Sequence, residues 1–154
     1  MIPISEPFLA GNEKKYVVDC MDSTWISSQG EFITRFEQAL AEYHGVKHAI
    51  VTSNCTSALH LSLKSLNIGP GDEVICPNLT FIAPANMVVL SGAKLVLVDI
   101  DSETLAVDPD IVAVSVTEKT KAIIPVHLFG QPAEMDAILD ICERHNLILV
   151  EDCA

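Results

Sequence analysis

The stretch Ser53-Asn54-Cys55-Thr56-Ser57-Ala58-Leu59-His60-Leu61 follows the apolar run Ala49-Ile50-Val51 and opens an amphipathic pattern. A strand that turns through small hydroxyl residues into a helix leaves backbone N–H groups unpaired at a partly positive helix end, with the Thr56 and Ser57 hydroxyls beside them. Two readings fit. Ser53 or Asn54 caps the helix, or the turn cradles a phosphate. The stretch by itself favours capping, so the choice rests on what the flanking sequence brings to the same place.

Upstream, residues 2–9 carry two prolines and read as an extended arm, after which Asn12 caps a short helix through Met21 with Glu13 in its first turn. The turn-rich segment Trp25-Ile26-Ser27-Ser28-Gln29-Gly30 holds the only tryptophan and reads as a packed or a binding loop. Phe32, Phe36, Leu40 and Tyr43 then recur at helical spacing up to Gly45, and Lys47–Thr52 is expected to be the first core strand. Downstream of the turn, Leu59, Leu63 and Leu66 form the buried face of a helix in which His60 sits in a satisfied polar niche.

Asn67–Glu73 is a turn punctuated by Gly69-Pro70-Gly71, and Val74–Pro77 a short buried strand. Thr80 is expected to cap an apolar helix that has Pro84 in its first turn and runs through Leu90 to a stop at Gly92. Phe81 would then emerge at the C-terminal edge of the preceding strand, where ligands of parallel α/β sheets gather. Lys94–Ile100 is a strand ending in Asp99 and Asp101, a pair read as a solvated strand end because no third metal ligand lies nearby. A helix capped by Asp108-Pro109 follows, then a strand over Lys121–Val126, a helix over Glu134–His145 and a last strand, Leu147–Val150, that delivers Glu151-Asp152 to the same edge.

This alternation of strand-like and helix-like segments predicts an α/β fold with a mainly parallel sheet in three layers. The formal net charge of -12 argues against nucleic acid or an anionic membrane as partner. A hydrophobic content of 49% with only 19% charged residues leaves apolar surface to be covered by a partner subunit or by further sequence. Ser91, Gly92 and Lys94 interrupt the longest apolar run, and no signal peptide is discernible, so the expected location is the cytoplasm. The five cysteines are scattered without CxxC spacing and read as reduced core residues, and the five histidines are equally dispersed, so no metal is assigned. Because Glu151-Asp152-Cys153-Ala154 directly follows a buried strand, the chain is expected to be part of a larger domain.

Three features converge on one sheet edge: a phosphate cradle at Thr56 and Ser57, an aromatic at Phe81 and a carboxylate at Asp152. Pyridoxal 5'-phosphate needs an anchor for its phosphate, a face for its ring and an anion that keeps its ring nitrogen protonated. Together with Trp25–Gly30, Gly69–Ile75, Thr120–Pro132 and Val150–Ala154, these motifs resemble the DegT/StrS family of pyridoxal-phosphate-dependent nucleotide-sugar aminotransferases, over essentially the whole chain. The resemblance is strongest to members that aminate C4 of GDP-4-keto-6-deoxymannose.

It implies the first part of the large, cofactor-binding domain of an aspartate aminotransferase-like fold, with the remainder and a small C-terminal domain not in this sequence. It further implies that Thr56 and Ser57 bind the cofactor phosphate, Phe81 stacks on the ring and Asp152 pairs with its nitrogen, while Ser28 lies near the nucleotide sugar or a dimer interface. The implied partners are a nucleotide-sugar acceptor, glutamate as amino donor and a second copy of the chain. Cys55 stands where many relatives have glycine, and His127 is given a structural place rather than a catalytic one. None of the chain's lysines matches the family's cofactor-attaching lysine, so these 154 residues alone are expected to be inactive in amino transfer. A non-catalytic binder of the cofactor or of a nucleotide sugar, and a sugar dehydratase relative, are the rival readings.

Overall fold

The computed structural model of the chain describes residues 6–154 and divides into two compact units, one up to Val51 and one from Thr52.

The first unit is built on helices α1 (Glu13–Ser23) and α2 (Glu31–His44). Tyr16 of α1 lies against Phe32 of α2 with ring centroids 4.9 Å apart, and the Arg35 guanidinium sits over both rings at 5.7 and 5.2 Å. Asn12 stands at the expected helix start, although its side chain makes no capping bond. Gly45 ends α2 with φ +64, a left-handed conformation open to a residue without Cβ. The expected arm over 2–9 falls partly outside the described residues, and 6–10 have no regular structure.

Lys47–Thr52 is not a strand. Its apolar alternation is strand-like, but strand structure requires a neighbour to pair with, and among the described residues none runs alongside it. The Val51 N–H donates instead to the Glu37 carboxylate at 3.0 Å.

The second unit is a three-layer α/β/α arrangement. Helix α3 spans Cys55–Ser65, β1 Glu73–Pro77, α4 Ala83–Ser91, β2 Lys94–Val98, α5 Pro109–Ser115, β3 Thr120–Ile123, α6 Met135–His145 and β4 Ile148–Leu149. All pairings between strands are parallel, in the order β2-β1-β3-β4, so β1 and β3 are flanked on both sides. Successive strand residues point to opposite faces. Val74 and Cys76 of β1, with Ala122 and Ile124 at β3, pack among Leu59, Leu63 and Val88 of α3 and α4. Ile75 and Ile123 pack on the other face among Val112, Ile138 and Ile141 of α5 and α6. This two-sided burial explains why the central strands read as continuous apolar runs.

Several helix starts follow from local chemistry. Asp108 caps α5 by accepting the Asp110 N–H at 2.9 Å, with Pro109 in the first turn. Gly92 ends α4 at φ +90, where an added Cβ would meet the Pro70 ring at 3.1 Å. Thr80 does not cap α4: Ile82 holds the cap position without a side-chain bond, and the Thr80 hydroxyl, two residues too early to reach the first turn, is buried without a partner among the described residues. His60 likewise departs from expectation, because its Nε2 is buried without a partner among the described residues. Such an orphan nitrogen costs about 1–3 kcal/mol.

Glu73 pins the N-terminal edge of the sheet. It is 5% exposed and accepts from Lys94 Nζ at 2.7 Å and from the Thr117 hydroxyl at 2.6 Å. These bonds, Lys94 foremost, hold its carboxyl below the ordinary value of 4.5.

Candidate functional site

Because all four strands are parallel, the chain leaves β1, β3 and β4 on one edge, and the segments that follow them gather there. The ladder between β3 and β4 is interrupted by Pro125, which has no N–H to give, and resumes beyond it. Asp152 N–H donates to Pro125 O at 3.0 Å and His127 N–H to Asp152 O at 3.0 Å, forming an isolated parallel bridge of Val126 with Asp152. The backbone of Asp152 is therefore held on both sides, and its residue is 5% exposed.

The side chain of Asp152 meets the start of α3. Its Oδ1 accepts the Cys55 thiol at 3.6 Å and the Ala154 N–H at 3.0 Å. Among the described residues nothing donates to Oδ2. The structure thus brings a buried carboxylate to the first turn of α3, across 97 residues of sequence.

At that turn Asn54 is the cap, its Oδ1 accepting the Ser57 N–H at 2.8 Å. The side-chain cap is therefore supplied by Asn54 and not by Ser53. Asn54 uses the Ser57 N–H, while the N–H groups of Cys55 and Thr56, at the first two helical positions, have no intrahelical acceptor. The Thr56 and Ser57 hydroxyls stand beside them, Thr56 half-buried and Ser57 exposed. Phe81 follows β1 at the same edge and is 73% exposed, leaving its ring face open to a planar ligand. Ser28 is exposed in the first unit, where Trp25, Ile26, Ser27 and Gln29 line an open cleft of about 950 Å³ that Ser28 itself does not line.

His127 is held by its neighbours. Its Nδ1 accepts the Ala133 N–H at 3.2 Å, so the ring proton sits on Nε2, which donates to Glu151 Oε2 at 3.0 Å. With Cys153 these groups place three donor atoms within 4.8 Å of one another. The Ala133 bond uses Nδ1 as acceptor and leaves the Nε2 proton donated to Glu151, and burial, followed by the charges of Glu151 and Asp152, pushes the Cys153 thiol up. Asp99 and Asp101 are also occupied: Asp99 accepts from Asn78 and from the Ile100 N–H, and Asp101 closes a turn onto Glu103 and Thr104. The Thr104 N–H first, then its hydroxyl and the Glu103 N–H, hold the Asp101 carboxyl below its usual range.

The contact between Cys55 and Asp152 was not visible in the sequence. No periodicity or spacing links positions so far apart, and only the strand order of the folded sheet brings them together.

The model of the DegT/DnrJ/EryC1/StrS aminotransferase family matches residues 7–154. The chain belongs to this family. Among its members, the GDP-perosamine synthase of Caulobacter vibrioides is 55% identical over 153 residues, covering 99% of this chain and 41% of that protein. The GDP-perosamine synthase of Vibrio cholerae is 47% identical over all of this chain and 42% of its own length. A solved structure of a putative sugar aminotransferase of Streptococcus pneumoniae in its PMP form superposes with a TM-score of 0.93 at 33% identity, over 99% of this chain and 42% of that one. The chain therefore spans about two fifths of the length of the relatives it matches. The superposition on that solved structure agrees with the mainly parallel α/β fold expected from the sequence.

Proposed function

We propose that this chain supplies the cofactor cradle of a pyridoxal-phosphate-dependent enzyme that transfers an amino group from glutamate to a GDP-linked 4-keto-6-deoxy sugar, giving a perosamine-type product. One observation carries the reading: Asp152 is buried beside the first turn of α3 with Oδ2 unclaimed. The residues present fit the cofactor. Thr56 and Ser57, with the N–H groups at the start of α3, would hold its phosphate, and Phe81 would lie on its ring. The Asp152 carboxylate would hold a proton on the ring nitrogen. When bound, the cofactor supplies the electron sink that makes amino transfer possible.

The relatives named for perosamine synthesis support the sugar, and the PMP-form neighbour supports the cofactor. The exposed apolar side chains of the first unit, among them Met21 at 64%, Trp25 at 59% and Phe36 at 57%, support a second copy of the chain as the cover they need. Five free cysteines suit the reducing cytoplasm.

The lysines bear on the chemistry. Lys94 and Lys119 line a small pocket with Asp72 and Glu73 at the N-terminal edge of the sheet, opposite Asp152. Lys64, in the last turn of α3, points to Ser91 O at 3.3 Å. In this reading the lysine that attaches the cofactor belongs to the part of the enzyme outside these 154 residues, and the chain alone binds the cofactor without turnover. Incubation with pyridoxal 5'-phosphate, borohydride reduction and peptide mapping tests this. Reversible binding with no single lysine labelled stoichiometrically is expected, and full labelling of one lysine together with amino transfer to the keto-sugar would overturn it.

A further inference from the structure

We propose that Cys55 is a positioning residue for Asp152, an inference that rests on the cofactor reading above. Asp152 Oδ1 receives two donors, the Cys55 S–H at 3.6 Å and the Ala154 N–H at 3.0 Å, which come from opposite ends of the second unit's sequence. Two donors on one carboxylate oxygen fix the side-chain rotation. They also leave Oδ2 as the oxygen with no donor among the described residues. A residue at position 55 without a donor leaves Oδ1 with the Ala154 N–H alone, and the carboxylate is free to rotate.

The thiol is kept in the donor form. Burial raises its titration first, the Asp152 charge and the hydrogen bond to it add to this, and Cys153 contributes least. Asp152 and Cys153 are the titratable groups that face it. Cys55 is accordingly a weak but persistent hydrogen-bond donor and not a nucleophile. Its task is to present Oδ2 to the cofactor's ring nitrogen.

The test has two arms on the full chain. In the first, alkylation of Cys55 by iodoacetamide is followed by peptide mass spectrometry from neutral to alkaline pH, with Cys20 as internal reference. Asp152→Asn removes the charge, so Cys55 should react about threefold to tenfold faster at neutral pH while Cys20 is unchanged. Equal Cys55 rates in both proteins would overturn the inference. In the second arm, pyridoxal 5'-phosphate affinity is compared among wild type, Cys55→Ser and Cys55→Ala. Serine retains the donor and should bind within about twofold of wild type, whereas alanine should bind about threefold to fivefold more weakly. Equal affinity of all three would overturn the inference and leave the cradle reading intact. Absence of cofactor binding in the wild type, with the alkylation coupling still present, would refute the cradle and with it the positioning role.

Discussion

If the phosphate cradle proposed for Thr56 and Ser57 is separate from the Asn54 cap at the start of α3, two neighbouring perturbations fail in different ways. Asn54→Ala removes the acceptor of the Ser57 N–H and should lower folding stability by about 1 kcal/mol. Thr56→Ala/Ser57→Ala removes two hydroxyls that make no cap bond, so the cofactor-free protein should lose little. Each hydroxyl that donates to a phosphate is worth roughly 1.5–3 kcal/mol, about tenfold to a hundredfold in affinity. The pair shares one ligand, so the losses do not simply add.

Urea unfolding with and without pyridoxal 5'-phosphate reads both effects. At a ligand concentration of about one hundred Kd the wild type should gain about 2.7 kcal/mol, and a variant weakened about a hundredfold should gain only about 0.4 kcal/mol. Asn54→Ala should start lower and still gain what the wild type gains. The reasoning is refuted if the double variant keeps the full gain, or if it loses as much intrinsic stability as Asn54→Ala.

Two further outcomes concern the scaffold. Ile75 is fully buried between β1 and the α5–α6 layer, and Ile75→Ala should cost about 2–5 kcal/mol in urea unfolding with an unchanged m-value. Glu73 has its folded pKa depressed below 4.5, chiefly by Lys94, so it stabilises the fold above that pH and loses the contribution as pH falls through the lowered value. Thermal melts of wild type and Glu73→Gln should therefore differ at neutral pH and converge in acid; a gap that persists undiminished would show that the ionised carboxylate is not what matters.

Much of the second unit was legible because its signals are local. Asp108-Pro109 marks a helix start, Gly92 a helix stop, and the two-sided apolar runs of β1 and β3 mark central parallel strands. What was missed depends on partners distant in sequence. Lys47–Thr52 has the composition of a strand but no strand beside it. Thr80 has the chemistry of a cap at the wrong offset from its helix, and the missing partner of His60 Nε2 is a tertiary fact that periodicity could not reveal. The site was half legible. Strand-end positions placed Phe81 and Asp152 at one edge, and the helix start placed Thr56 and Ser57, yet the choice of Asn54 over Ser53 as cap is decided by backbone dihedrals, and the Cys55 contact by sheet order.

The central claim is that Asp152, at the first turn of α3, holds a proton on the cofactor's ring nitrogen. Nitrogen-15 NMR of ring-labelled pyridoxal 5'-phosphate bound to the chain measures that proton directly. The account predicts a protonated ring nitrogen at neutral pH in the wild type and an unprotonated one, with the cofactor still bound, in Asp152→Asn. The same protonation state in both proteins would contradict it.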